Sequence, residues 1–122
     1  MLDLGCGAGL DSLIAAWRVG LAGKVTGLDF SDAMLRRARG AAAEAGLDHV
    51  QFQRAEAERL PLPDGSVDIA LVNGIFNLNT ARAAIFRELA RVVRPGGAVF
   101  AAELILRGSA PAEPARLSDW FS

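Results

Sequence analysis

Asp3-Leu4-Gly5-Cys6-Gly7-Ala8-Gly9 closes a short apolar run and is followed at once by Leu10-Asp11-Ser12-Leu13-Ile14-Ala15-Ala16-Trp17. Three glycines alternate where a strand gives way to a helix. Glycine suits such a turn because the backbone must double back tightly and let a ligand approach with no Cβ in the way. The free N–H groups of the helix that follows favour acceptor atoms and negative charge. Leu10, Leu13, Ile14 and Trp17 follow the i, i+3, i+4, i+7 spacing of an amphipathic helix, and Gly20 ends it.

Working outward, the apolar pattern keeps switching between two periods. Strand-like runs fall at Met1–Leu4, Lys24–Leu28, Val50–Gln53, Val67–Val72 and Ala98–Leu106, most of them apolar on both faces, as in a covered parallel sheet. A second helix starts after Ser31, carries Met34, Leu35, Ala38 and Ala42, and stops at Gly46. A third carries Ile85, Leu89 and Val92, with Arg94-Pro95-Gly96-Gly97 as its terminator. Ala57–Gly65, with two prolines and Asp64-Gly65, reads as a loop. The order β-α-β-α-β-loop-β-α-β implies an α/β fold with a parallel sheet and right-handed crossovers. Residues 1–106 form its core, and residues 107–122 are a connector leading into a helix that begins near Leu117–Phe121.

The chain's 122 residues fit one domain, large enough to bury roughly two thirds of its unfolded surface. A net charge of −1 offers no basic field to nucleic acid or anionic lipid, so the expected partner is a small molecule. Cys6 and His49 are the only residues of their kinds, which leaves no disulfide and no metal cluster to expect. No apolar stretch nears the ~20 residues of a membrane span, and a cytoplasmic location is the default.

The glycine loop admits two ligand classes. A dinucleotide site wants a third small residue at a fixed spacing, and that position falls on Leu10 or Ser12 in the two possible registers. The observed G-x-G-x-G, led by Asp3 two residues earlier, resembles the first motif of Rossmann-like methyltransferases. That family binds S-adenosylmethionine, and the resemblance implies that Asp3, Gly5, Cys6, Gly7 and Gly9 form the loop that holds it. It further implies a three-layer α/β/α fold with a five-stranded parallel sheet in the order 3-2-1-4-5.

Asp29 ends the second strand, twenty residues beyond Gly9. A carboxylate there can accept hydrogen bonds from both ribose hydroxyls; alternatively it caps the Ser31 helix. The resemblance sets Phe30 beside the nucleoside and Met34 near the adenine, although Met34 on its own reads as core. Arg54-Ala55-Glu56-Ala57-Glu58-Arg59-Leu60-Pro61 is similar to the family's G-D-A-x-x-L-P segment. By that likeness Glu56 accepts from the adenine amino group and the Ala57 N–H reads a ring nitrogen; the alternative is a solvated acidic turn. Asn73 ends the fourth strand and is implied to touch the methionine portion, while Asn77 is either a contact or a helix cap. Phe86–Gly97 resembles the passage from helix to fifth strand and marks the fold alone.

Within the family, Gly23–Ser31 and Met34-Leu35 are similar to the ubiquinone/menaquinone methyltransferases. Leu13–Ala16 and Leu71–Leu78 look more like the arsenite methyltransferases, which hold arsenic with a cysteine where this chain has Gly74. The resemblance implies methyl transfer from S-adenosylmethionine to a small-molecule acceptor, with no metal and no identified catalytic residue. Against the family's pattern the preceding helix and the closing antiparallel hairpin are missing, so the chain is expected to be truncated at both ends, either as a fragment or as a pared-down form. Two alternatives stand beside this reading: a non-catalytic cofactor-binding or assembly module, and a nicotinamide-dependent oxidoreductase. A bare fifth strand, together with Trp120 and Phe121 in the tail, leads us to expect a homodimer or swapped assembly.

Overall fold

A computed structural model of the chain describes residues 1–105 and Gly108. Its elements are β1 (Leu2–Leu4), α1 (Leu10–Val19), β2 (Val25–Asp29), α2 (Asp32–Glu44), β3 (Val50–Arg54), β4 (Val67–Asn73), a 3-10 turn (Phe76–Leu78), α3 (Arg82–Val92) and β5 (Val93–Ala102). The five strands form one sheet in the order β3-β2-β1-β4-β5, every ladder parallel. This is the expected 3-2-1-4-5 sheet. The connector at residues 107–122, apart from Gly108, lies outside the described residues.

Short as it is, β1 is the keel, with all three residues buried between β2 and β4. On one face Leu2, Leu4, Leu28, Ala70 and Val72 pack against Ile85, Leu89 and Val92 of α3. On the other, Val25, Val50 and Phe52 pack against Ala15 and Ala16 of α1 and Leu35, Ala38 and Ala42 of α2. Two dry interfaces on opposite sides of one sheet make the three layers.

α1 meets the sheet through small side chains. Ser12, Ala15 and Ala16 are buried, and a Cβ at Gly27 of β2 would lie 2.6 Å from Phe52 and 3.0 Å from the Ser12 hydroxyl. That close approach leaves no room for the large residues of the amphipathic spacing. Leu10, Ile14 and Trp17 are accordingly 71%, 51% and 73% exposed. Of the apolar stripe legible in the sequence, Leu13 alone packs toward the core, and the rest is the outward face of this helix.

β5 differs from its expected bounds at both ends. Val93 already pairs with Val67 of β4; the ladder then bulges and resumes at Ala98 opposite Ile69. Gly96 supplies the positive φ of 82° for the bulge, and Arg94 ties it to Asp68 at 2.6 Å. Arg94–Gly97 is therefore an interruption inside the strand, because a parallel partner was waiting where the sequence alone shows only a helix stop. At the far end the strand stops at Ala102, opposite Asn73, where β4 itself ends.

The loop between β3 and β4 is held by α3. The Leu60 N–H donates to the Glu88 carboxylate at 2.7 Å. Arg91 donates to the carbonyls of Leu60 and Leu62, to Asp64 and to Glu88. Hydrogen bonds from Arg91, then that of the Leu60 amide, draw the Glu88 carboxyl down to about 2.

Candidate functional site

The carboxyl ends of β1, β2 and β4 bring the glycine loop, Asp29 and the segment after β4 to one edge of the sheet, where ligands of open α/β sheets bind. The loop turns because Gly5 and Cys6 both donate their N–H to the Leu28 carbonyl, at 2.8 and 3.0 Å. Gly5, Gly7 and Gly9 all have positive φ, so each position disfavours a side chain for backbone reasons alone. Their surroundings differ. A Cβ at Gly5 would strike Ile75, and one at Gly9 would crowd Ala38 and Phe52, whereas Gly7 has nothing within 4 Å. Gly7 is the open point of the loop.

Asp29 is built into that loop. One carboxylate oxygen accepts the Gly7 N–H at 2.9 Å, and the other accepts the Ser31 N–H at 2.9 Å. Ser31, not Asp29, caps α2, its hydroxyl accepting the Met34 N–H. Each carboxylate oxygen has a further lone pair for a donor from outside.

Asp3 sits beneath the loop, 1% exposed, and accepts the Ser12 hydroxyl at 2.6 Å. Burial raises its carboxyl above the ordinary range, against the lowering effect of Ser12. Asp3 braces the junction of β1 and α1 and does not reach the surface. Cys6 is likewise buried, and desolvation, then the charges of Asp3 and Asp29, push its thiol up to about 12.

Beyond Asp29 opens a cleft of about 840 Å³ lined by Phe30, Arg54, Ala55, Glu56, Ala57, Glu58, Gly74, Ile75 and Asn79. Three of the expected residues, Phe30, Glu56 and Ala57, meet there. Phe30 is 73% exposed, an aromatic ring left at the rim. Met34 is at the outer side of α2's first turn and more exposed than a core residue. Asn73 is turned elsewhere: its amide donates to Asp11 at 3.2 Å, beside a smaller hollow of about 240 Å³ shared with Leu71 and Phe100.

The far wall was not legible in the sequence. Ile75 closes over Gly5, and its segment is fixed by Glu103, whose carboxylate accepts the N–H groups of Phe76 and Asn77. The Asn77 side chain donates to the Leu104 carbonyl; it is neither a cap nor a cleft residue. Asn79 accepts the Ala81 N–H at 2.8 Å in a turn just before α3, which has no side-chain cap, and its amide donates to Glu58 at 2.9 Å. That hydrogen bond holds the half-buried Glu58 carboxyl below its ordinary range.

His49 lies at the opposite edge of the sheet. One ring nitrogen bonds the Ala16 carbonyl, and it takes no part in the cleft. Among the described residues, no three His, Cys, Asp or Glu side chains are grouped to hold a metal ion. No described helix is long and apolar enough to cross a membrane.

Residues 1–97 match the family described as "Methyltransferase domain". An arsenite methyltransferase of Halobacterium salinarum is 37% identical over 105 residues, covering 86% of this chain and 27% of the relative. A demethylmenaquinone methyltransferase of Listeria monocytogenes is 39% identical over 98 residues, covering 80% of this chain and 41% of the relative. The crystal structure of a SAM-dependent methyltransferase from Aquifex aeolicus superposes with a TM-score of 0.80 at 28% identity, over 90% of this chain and 60% of that one. The chain thus spans well under half the length of the two curated relatives.

Proposed function

This chain belongs to the methyltransferase-domain family, and from that premise we propose that it binds S-adenosylmethionine and forms the cofactor half of a methyl transfer to a small-molecule acceptor. The observation that carries the reading is the pairing of Asp29 with the open Gly7, a carboxylate with lone pairs to spare beside backbone that no side chain covers. In this reading Asp29 accepts from the ribose hydroxyls, while Phe30 and Met34 flank the nucleoside. Glu56 and the Ala57 N–H read the adenine edge. The backbone of Gly5, Cys6, Gly7 and Gly9 lies along the methionine moiety, with Asn73 and Asp11 at its far end and Asp3 bracing the loop from below.

The charge of the site supports a cationic ligand. Glu56 and Glu58 line the cleft, with Asp29 just before it at the end of β2 and Arg54 as the lone base among the lining residues, and Arg54 is itself paired to Asp32 at 3.3 Å. The bound cofactor supplies a methyl group activated by a positively charged sulfur. The chain's part is to orient it, and positioning alone can contribute several kcal/mol to such a reaction. An arsenite acceptor fits these residues poorly. Gly74 presents no thiol to the cleft, and the thiol of Cys6 is buried and held protonated.

Isothermal titration with S-adenosylmethionine, S-adenosylhomocysteine and NAD tests the reading, followed by a methyl-transfer assay on small acceptors. Micromolar binding of the first two is expected. NAD binding more tightly than S-adenosylhomocysteine refutes it, and cofactor binding without turnover on any acceptor reduces it to the cofactor-binding module.

A further inference from the structure

Leu10, Ile14 and Trp17 stand on the side of α1 opposite the buried Ser12, Ala15 and Ala16, and Leu21, just past the helix, extends the row at 90% exposure. Within the helix the spacing of 4 and 3 residues is that of a two-helix seam, narrower than the broad stripe of a helix lying on a sheet. Three large apolar side chains on one outward face, with a fourth exposed just beyond Gly20, are more than solvent-facing helices of monomers usually carry.

The charges say what covers it. α1 carries two, Asp11 in its first turn and Arg18 in its last. They lie seven residues apart and therefore on one flank of the seam. An antiparallel copy of the same helix sets Asp11 of each chain toward Arg18 of the other, twice. A parallel copy carries this flank to the opposite side of the seam, so Asp11 and Arg18 meet no counterpart there. Arg18 lies over the Trp17 ring, 5.9 Å from its centre, which holds its charge beside the seam. Asp11 retains an oxygen beyond the one that accepts from Asn73.

We propose that the outward face of α1 is a self-association surface, and that its occupant is α1 of a second copy, antiparallel about a two-fold axis. This differs from association through β5. There the bulge at Arg94–Gly97, with Pro95 and a left-handed Gly96, interrupts the edge in the way that discourages strand pairing.

Sedimentation equilibrium of the full chain, from about 5 to about 200 µM, tests the proposal. A seam this short sits at the low end of interface sizes, and a dissociation constant of about 10–100 µM is expected. Ile14→Glu and Trp17→Glu should each weaken it more than about tenfold. Both side chains are outside the core, so the circular dichroism spectrum should not change. Asp11→Arg should weaken it about threefold at low salt, and Asp11→Arg combined with Arg18→Asp should restore it. A wild-type chain that remains a 12.8 kDa monomer at the highest concentration overturns the proposal. So does a dimer that Ile14→Glu leaves unchanged, or a charge reversal that the double exchange fails to rescue.

Discussion

Replacing Asp29 with alanine should separate two roles that the same carboxylate holds at once. In the free protein its oxygens accept the N–H groups of Gly7 and Ser31, each at 2.9 Å. Both amides are partly buried, so water replaces the lost partners only in part, and each bond contributes about 0.5–1.5 kcal/mol net. The fold should therefore lose about 1–3 kcal/mol, or roughly 4 °C of melting temperature per kcal/mol for a chain of this size. The ligand loses more. Two hydroxyls that donate to a charged acceptor contribute about 1.5–3 kcal/mol each in isolation. Water reaching the rim returns part of this, leaving a net loss of about 2–4 kcal/mol, roughly 30- to 1,000-fold in affinity. Titration of S-adenosylhomocysteine into the mutant, well below its melting temperature, is the assay. Asp29→Asn, which keeps one acceptor, should fall between. A folded Asp29→Ala protein that binds within about twofold of wild type would show that the ribose is held elsewhere.

Gly7→Val should abolish cofactor binding, because its side chain fills the open point of the loop; the positive φ of 54° adds roughly 1–2 kcal/mol of strain, and a native circular dichroism spectrum is still expected. Unchanged affinity there contradicts the loop assignment. The Glu88 carboxyl, held at about 2 against an ordinary 4.5, contributes stability that is present above pH 4.5 and lost as pH falls toward 2. Glu88→Gln should flatten that part of the melting-temperature profile, and an unaltered acid slope would assign it to other carboxylates. Cys6, buried with its thiol at about 12, should resist a thiol-disulfide reagent at pH 8 until the chain is unfolded; stoichiometric labelling of the native protein within minutes would show that the loop opens.

The sheet order and the glycine loop could be read from the sequence because both rest on local rules: which residues fit a covered strand, and where a turn needs glycine. Asp29 could be read because it ends a strand at a fixed distance from that loop. The wall of the cleft could not. Ile75 meets Gly5 only after β1 and β4 have paired, and Glu103 reaches Phe76 and Asn77 only from the end of β5. No periodicity encodes such contacts. The outward stripe of α1 shows the opposite failing: the helical spacing was plain, but which side faced the sheet was decided by how closely the backbone could approach Gly27. At β5, a proline and two glycines read as a helix stop and proved to be a bulge, since strand pairing depends on a partner far away in sequence.

The central position of β1 also dictates an order of assembly. Leu2 pairs with Thr26 on one side and with Ala70 on the other. During synthesis the first pairing becomes available as soon as α1 has formed, and β3 follows through α2, so a three-stranded half-sheet can close before β4 has left the ribosome. Its inner edge is then the most buried strand of the finished protein, bare until β4 emerges. Closing that gap spans a long loop and carries the larger entropic cost. The nascent half-domain is the stage at which a chaperone has most to protect.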